Sequence, residues 1–213
     1  MQATTPALDI DVYLDLICPW CLIGKKNLAQ ALAIFTSVPG HPPVNVHWRS
    51  VQVLPDVPPE GLDFEAFYRQ RLGGVMRMHD RQAQVRAAAR QAGTEVHFDR
   101  IRRMPNTRLA HGLLAYAKRQ LPPEKVDALL EALLTGYFQQ GADLGDEGIL
   151  SAIGSCHGLK PAAWKSWMAR HPPELEPATS VPLFVFNREL SLSGAQPVSV
   201  MLEALREALA AVH

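Results

Sequence analysis

Cys18 and Cys21 are the residues of this chain best suited to do chemistry. They stand in Cys18-Pro-Trp-Cys21, directly after Ile10-Asp-Val-Tyr-Leu-Asp-Leu-Ile17 and directly before the run Leu22 to Phe35. A thiolate, not a thiol, is the nucleophile, and the first turn of a helix offers unpaired N–H groups and the positive end of its dipole. Cys18 falls at that end and is assigned the attack. Cys21 lies within one helical turn and can close a disulfide with it. Pro19 suits the first helical position because it has no N–H to lose and its φ is already helical. Trp20 is expected to face outward beside the pair.

Two other accounts of the pair exist. A Cys-x-x-Cys can be half of a zinc site, but four ligands are needed, and the only further cysteine is Cys156, with His157 beside it. Two ordinary buried cysteines are the other account, and a strand-to-helix junction ahead of Pro-Trp is a poor place for them. A redox dithiol that needs no metal is the expectation.

The elements that must hold the dithiol follow from periodicity. Ile10, Val12, Leu14 and Leu16 alternate, so 10–17 reads as a strand and 22–35 as the helix behind it. His41-Pro-Pro43 breaks the chain, and Val44 to Val51 alternates as a second strand. A right-handed crossover sets this strand parallel to the first and leaves Cys18 at the carboxyl edge of the sheet, where α/β proteins bind ligands. The proline-rich 54–61 reads as a loop. From Asp63 to about Arg170 the pattern gives helices at 63–72, 75–92, 107–120, 124–139, 146–156 and 161–169, with no persuasive strand. Asp63, Asp146 and Pro161 are start signals, and Gly73, Gly93 and Gly141 are stops. Pro182 to Phe186 then forms a strand, Asn187-Arg-Glu189 a turn and Leu190 to Ser193 its hairpin partner. A last helix, 198–212, carries an apolar stripe of Val198, Met201, Leu202, Leu205, Leu209 and Val212.

At 213 residues and 47% hydrophobic content the chain can bury a real core. Lysine plus arginine equals aspartate plus glutamate at 21 each, so net charge gives no argument for nucleic acid or an anionic membrane. Nine arginines against three acids lie between Arg69 and Arg103, which fits a solvated helix surface or a basic face. No stretch approaches the roughly 18 consecutive apolar residues of a membrane span. Met1 to Leu8 has no basic, apolar and small-residue sequence of a secretory signal. A cytoplasmic location is expected, where structural disulfides are rare and a Cys-x-x-Cys is more often catalytic.

β-α-β, a helical insertion and β-β-α is the layout of a thioredoxin fold, an α/β architecture. Residues 1–57 and 176–213 are expected to form the thioredoxin-like domain and 58–175 the helical insertion domain. With Asp15-Leu-Ile-Cys-Pro-Trp-Cys21, Ile23-Gly24-Lys25, Leu54-Pro55, Pro105-Asn-Thr107, Ala110-His111 and Ser193-Gly-Ala-Gln-Pro197, the chain resembles the DsbA family of thioredoxin-like proteins, in its FrnE-like branch near the 2-hydroxychromene-2-carboxylate isomerases. The resemblance implies a cis bond at Val181-Pro182, with Pro182 against the cysteine pair and the Val181 main chain open to an extended substrate. Family members approach this proline through a glycine-containing stretch. Here it is Glu174-Leu-Glu-Pro-Ala-Thr-Ser-Val-Pro182, and the loop is expected to differ in shape.

Further candidates carry two readings each. Asp15 is a proton acceptor for the resolving thiol, or a strand-end acid facing water or a helix N-terminus. Lys25 and Lys26 add positive potential, or are solvated helix lysines. Asn106 reaches the substrate, as the isomerase relatives suggest, or caps a helix with Thr107. His111 reaches the site or is a satisfied helix histidine. Gly194, Ala195 and Gln196 bind a carboxylate such as that of glutathione, or form a simple turn. Cys156 is expected to be a small buried residue at a helix end, with a third redox thiol as the alternative.

The expected activity is thiol-disulfide exchange through a mixed disulfide. Cys18, Cys21 and Pro182 would be catalytic, and Pro19, Trp20, Val181, Asn106, Gly194, Ala195 and Gln196 would line the substrate. Protein or small-molecule disulfides are the expected partners, with glutathione a candidate co-substrate and no metal or organic cofactor. One alternative is a glutathione-dependent transferase or cis-trans isomerase. Relatives of that kind carry serine at the position of Cys18 and lack the resolving cysteine. The other alternative is a non-catalytic peptide-binding module, which would tolerate loss of Cys21.

Overall fold

In the computed structural model, residues 7–177 and 180–211 are described. Strand β1 (Leu8–Leu14) is an inner strand of a four-stranded sheet ordered β2-β1-β5-β6. β2 (Val44–Ser50) runs parallel to it, with Leu8 opposite Val44 and Leu14 opposite Ser50. β5 (Leu183–Phe186) runs antiparallel on its other side, with Ile10 opposite Phe186. β6 (Leu190–Ser193) completes the hairpin.

The alternation in β1 explains its place. Leu8, Ile10, Val12 and Leu14 are at most 2% exposed, and each contributes roughly 1.5–3 kcal/mol by burial. The strand is shifted from the expected 10–17. It begins two residues earlier and stops at Leu14, because Asp15 accepts the Cys18 N–H at its carbonyl and turns the chain. Helix α1 (Pro19–Thr36) starts at once, with Pro19 in the first turn. It packs along the helix that follows β6. That last helix spans Val198–Ala210 and buries Met201, Ala204, Leu205 and Ala208. The expected stripe is thus displaced toward two alanines, whose small side chains allow close helix approach. Val212 lies outside the described residues.

The chain divides into two compact units, Met1–Val51 with Glu176–His213, and Gln52–Leu175. The first division falls at the end of β2, earlier than residue 57. The second unit holds β3 (Leu62–Asp63), α2 (Phe64–Leu72), α3 (Val75–Gln91), β4 (Arg103–Met104), α4 (Arg108–Gln120), α5 (Pro123–Thr135), α6 (Glu147–Cys156) and α7 (Pro161–Met168). In chain order the final helix is therefore α8.

Two features of this unit depart from the all-helical expectation. β3 and β4 pair antiparallel through two residues each, too short to leave an alternation in the sequence. The helix expected over 124–139 changes to a π-turn at Gly136–Gln140 after α5. The start and stop signals act as expected. Asp63 and Asp146 accept the Ala66 and Ile149 N–H groups, each at 2.8 Å. Gly73 and Gly141 end their segments in the left-handed conformation. Thr107 departs from its expected role: its hydroxyl is buried and makes no capping bond. Asn106 Oδ1 accepts the Arg108 N–H instead.

Candidate functional site

The end of β1 and the start of α1 bring the two sulfurs together. Cys18 is the N-cap residue, extended at φ −90 and ψ 110, and half-exposed. Cys21 sits one turn inside, its N–H donating to the Cys18 carbonyl at 2.9 Å, and is 1% exposed. The two cysteines are unbridged. Burial pushes the Cys21 thiol well above its ordinary range. A hydrogen bond to the Cys18 sulfur, the charge of Cys18 and the Asp15 carboxylate push the same way, while a main-chain hydrogen bond with Asp15 opposes them. The site therefore holds one accessible sulfur and one that keeps its proton.

Asp15 is fully buried, and its Oδ1 accepts the Leu16 N–H at 2.7 Å. The strand-end acid facing water is thus excluded. Pro19 and Trp20 are half-exposed beside Cys18. Val181-Pro182 leads into β5, the neighbour of β1 in the sheet, and faces Cys18. Its peptide bond is cis, as expected from the resemblance. Pro182 is buried, and Cys18 Sγ donates to the Val181 carbonyl oxygen at 3.7 Å.

Gly194, Ala195 and Gln196 are half-exposed at the end of β6. The Gly194 N–H donates to the Pro182 carbonyl at 2.8 Å and the Gln196 N–H to the Gly194 carbonyl at 2.9 Å. The first bond extends the β5–β6 hairpin by one rung and the second closes the turn after it. Asn106 belongs to the second unit, where its amide bonds Gln52, Val57 and the Arg108 N–H. His111, in the same unit, is fully buried on α4.

Two residues differ from their expected setting. Lys25 is buried at 6% exposure, with Nζ 5.4 Å from the Trp48 ring centroid. The reading of Lys25 as a solvated helix lysine is therefore wrong, because β2 covers this face of α1 with an aromatic that can receive the ammonium. Cys156 is exposed at the last residue of α6, not buried. Asn27, which carried no sequence signal beyond its place in α1, is buried and donates to the Gln196 carbonyl at 2.8 Å.

Among the described residues, no three His, Cys, Asp or Glu side chains are placed to hold a metal ion, and no helix is long and apolar enough to cross a membrane.

Fold and site together define a thioredoxin-like protein with a Cys-x-x-Cys at the head of its first helix. Residues 9–171 match the DSBA-like thioredoxin domain, and the chain belongs to that family. It is 27% identical to a probable DsbA oxidoreductase from Streptomyces coelicolor, whose crystal structure superposes with a TM-score of 0.82 over 95% of this chain and 90% of that one. It is 23% identical to the uncharacterized protein YwbO of Bacillus subtilis (strain 168), over 93% of this chain and 96% of the relative. The structure of a 2-hydroxychromene-2-carboxylate isomerase shares the fold at 12% identity and a TM-score of 0.64, covering 95% of this chain and 96% of that one.

Proposed function

We propose that the protein is a thiol-disulfide oxidoreductase in which Cys18 attacks and Cys21 resolves. The observation that carries this reading is the contrast between a half-exposed Cys18 at the helix N-cap and a buried, proton-holding Cys21 one turn behind it. The Cys18 thiolate attacks one sulfur of a substrate disulfide, the substrate S–S bond breaks, and the other sulfur leaves as a thiolate. Cys21 then gives its proton to Asp15, attacks the Cys18 sulfur and expels the second substrate thiolate. The substrate disulfide is reduced by two electrons and Cys18–Cys21 becomes the disulfide. Run backward, the same steps oxidise a dithiol, and the direction follows the reduction potentials of the pair and its partner.

Protein or small-molecule disulfides are the substrates in this account, with glutathione as co-substrate returning the pair to its dithiol form. Val181, whose carbonyl receives the Cys18 thiol, binds the substrate together with Pro182, Pro19 and Trp20. The amide of Asn106 is engaged within its own unit. The protein works where glutathione is the thiol buffer, which fits a cytoplasmic setting.

Equilibration of the Cys156→Ser protein in glutathione buffers, read by acid quench and mass, tests the proposal. A reversible two-electron transition confined to Cys18 and Cys21 supports it. A pair that neither forms a disulfide nor exchanges with glutathione rules it out.

A further inference from the structure

The motif Ser193-Gly-Ala-Gln-Pro197 lies outside the reaction just described, yet its hydrogen bonds lead to the attacking sulfur. Asn27, on α1 nine residues beyond Cys18, donates its amide to the Gln196 carbonyl at 2.8 Å. Gln196 donates its N–H to Gly194 O at 2.9 Å and its Nε2 to Ser193 O at 2.7 Å. Gly194 donates to Pro182 O at 2.8 Å, one rung beyond the Leu183–Ser193 pair of the hairpin. The hydroxyls of Ser193 and Ser180 lie 3.1 Å apart, closing the turn over the residue before Val181. Val181 O in turn receives the Cys18 thiol at 3.7 Å. One helix thus supplies the nucleophile at its start and the anchor of the opposing main chain further along.

Asn27 is 7% exposed. A buried amide is kept where its hydrogen bond has a use, since leaving its partner unmatched costs about 1–3 kcal/mol. Its partner, Gln196 O, directly precedes Pro197 at the cap of α8. The bond therefore ties the turn to α1 directly ahead of α8.

We propose that Asn27 is a positioning residue that holds the Val181 main chain opposite the Cys18 sulfur, so that loss of its bond weakens attack on an extended cystine peptide more than attack on a small disulfide. This rests on the thiol-disulfide reading. A chain docking as an added strand needs main-chain partners held in place, whereas a small disulfide needs only an accessible sulfur.

The test compares Asn27→Leu with the parent, both in the Cys156→Ser background, for single-turnover reduction of an extended cystine peptide and of a small aromatic disulfide. We expect the second-order rate constant for the peptide to fall between about tenfold and about a hundredfold, with that for the small disulfide changed less than about twofold. Equal losses on both substrates, or no loss on either, overturn the proposal. Asn27→Asp keeps the volume and removes the donor; it must show the same split if the leucine variant does not fold. A parent that reduces neither substrate removes the redox reading, and the positioning role falls with it, whereas equal losses leave that reading intact.

Discussion

The carbonyl oxygen of Val181 accepts the thiol of Cys18 at 3.7 Å, across a sequence separation of 163 residues. Both residues belong to the same compact unit. The attacking sulfur and the main chain that faces it are therefore set by one sheet and its two flanking helices, through β1, β5 and the turn that ends β6.

The difference in burial between the two cysteines predicts their order of alkylation. In the Cys156→Ser background, needed because Cys156 is exposed, a limiting amount of iodoacetamide at neutral pH should label Cys18. Cys21 should react only in strongly alkaline solution or after unfolding. Peptide mapping checks this, and faster labelling of Cys21 contradicts the assignment.

The raised Cys21 thiol also makes stability depend on pH. Above its ordinary value of 9.0 the unfolded chain loses this proton while the folded dithiol keeps it. The folded state then binds more protons, so stability is fully present below about 9 and falls as pH rises further, by at most about 1.4 kcal/mol per pH unit from this group. Urea melts of the dithiol form at pH 8, 9 and 10 should show the loss. In Cys21→Ala the fall should be shallower, and an unchanged slope would mean that Cys21 is not the group.

Asp15→Asn separates attack from resolution. The amide fills the same buried space without accepting the Cys21 proton, so decay of the mixed disulfide should slow by about 10² to 10⁴. Its formation should keep nearly the parent rate. Rapid quench with mass detection follows both steps, and a variant slowed only in formation would assign Asp15 to Cys18.

Gly24 lies where α1 crosses close to β5. A Cβ there would stand 3.0 Å from the Phe184 ring and 3.1 Å from the Pro182 ring. Neither ring can swing away as a flexible chain end would. Overpacking costs about 1–3 kcal/mol against a helix-propensity gain of up to about 1 kcal/mol, so Gly24→Ala should be destabilising and slow the attack by shifting Pro182. Thermal melts and peptide reduction check both effects; a more stable variant with full activity would contradict the close approach.

Much of this site is legible in the sequence because its signals are local. An alternating strand running into Cys-Pro-Trp-Cys, and a valine-proline before a short hairpin, define elements without reference to distant neighbours. The burial of Lys25 was not legible in this way, since helical spacing does not tell which neighbour covers a face, and Trp48 arrives from β2. Asn27 was missed for the same reason: its partner Gln196 is 169 residues away. Cys156 departs from its expected burial because Gly154-Ser-Cys-His-Gly158 has no periodicity from which to assign a face. The two-residue strands β3 and β4 are held by their pairing, not by any pattern within either strand.

Removal of the resolving sulfur tests the central claim most directly. Cys21→Ser in the Cys156→Ser background should still attack a cystine peptide through Cys18 and then stall, because nothing remains to attack the Cys18 sulfur from within the chain. Intact mass under acid quench should show one peptide thiol added to nearly all of the protein, located at Cys18 and released by dithiothreitol. Rapid turnover with no adduct, or an adduct on any other residue, would contradict the account.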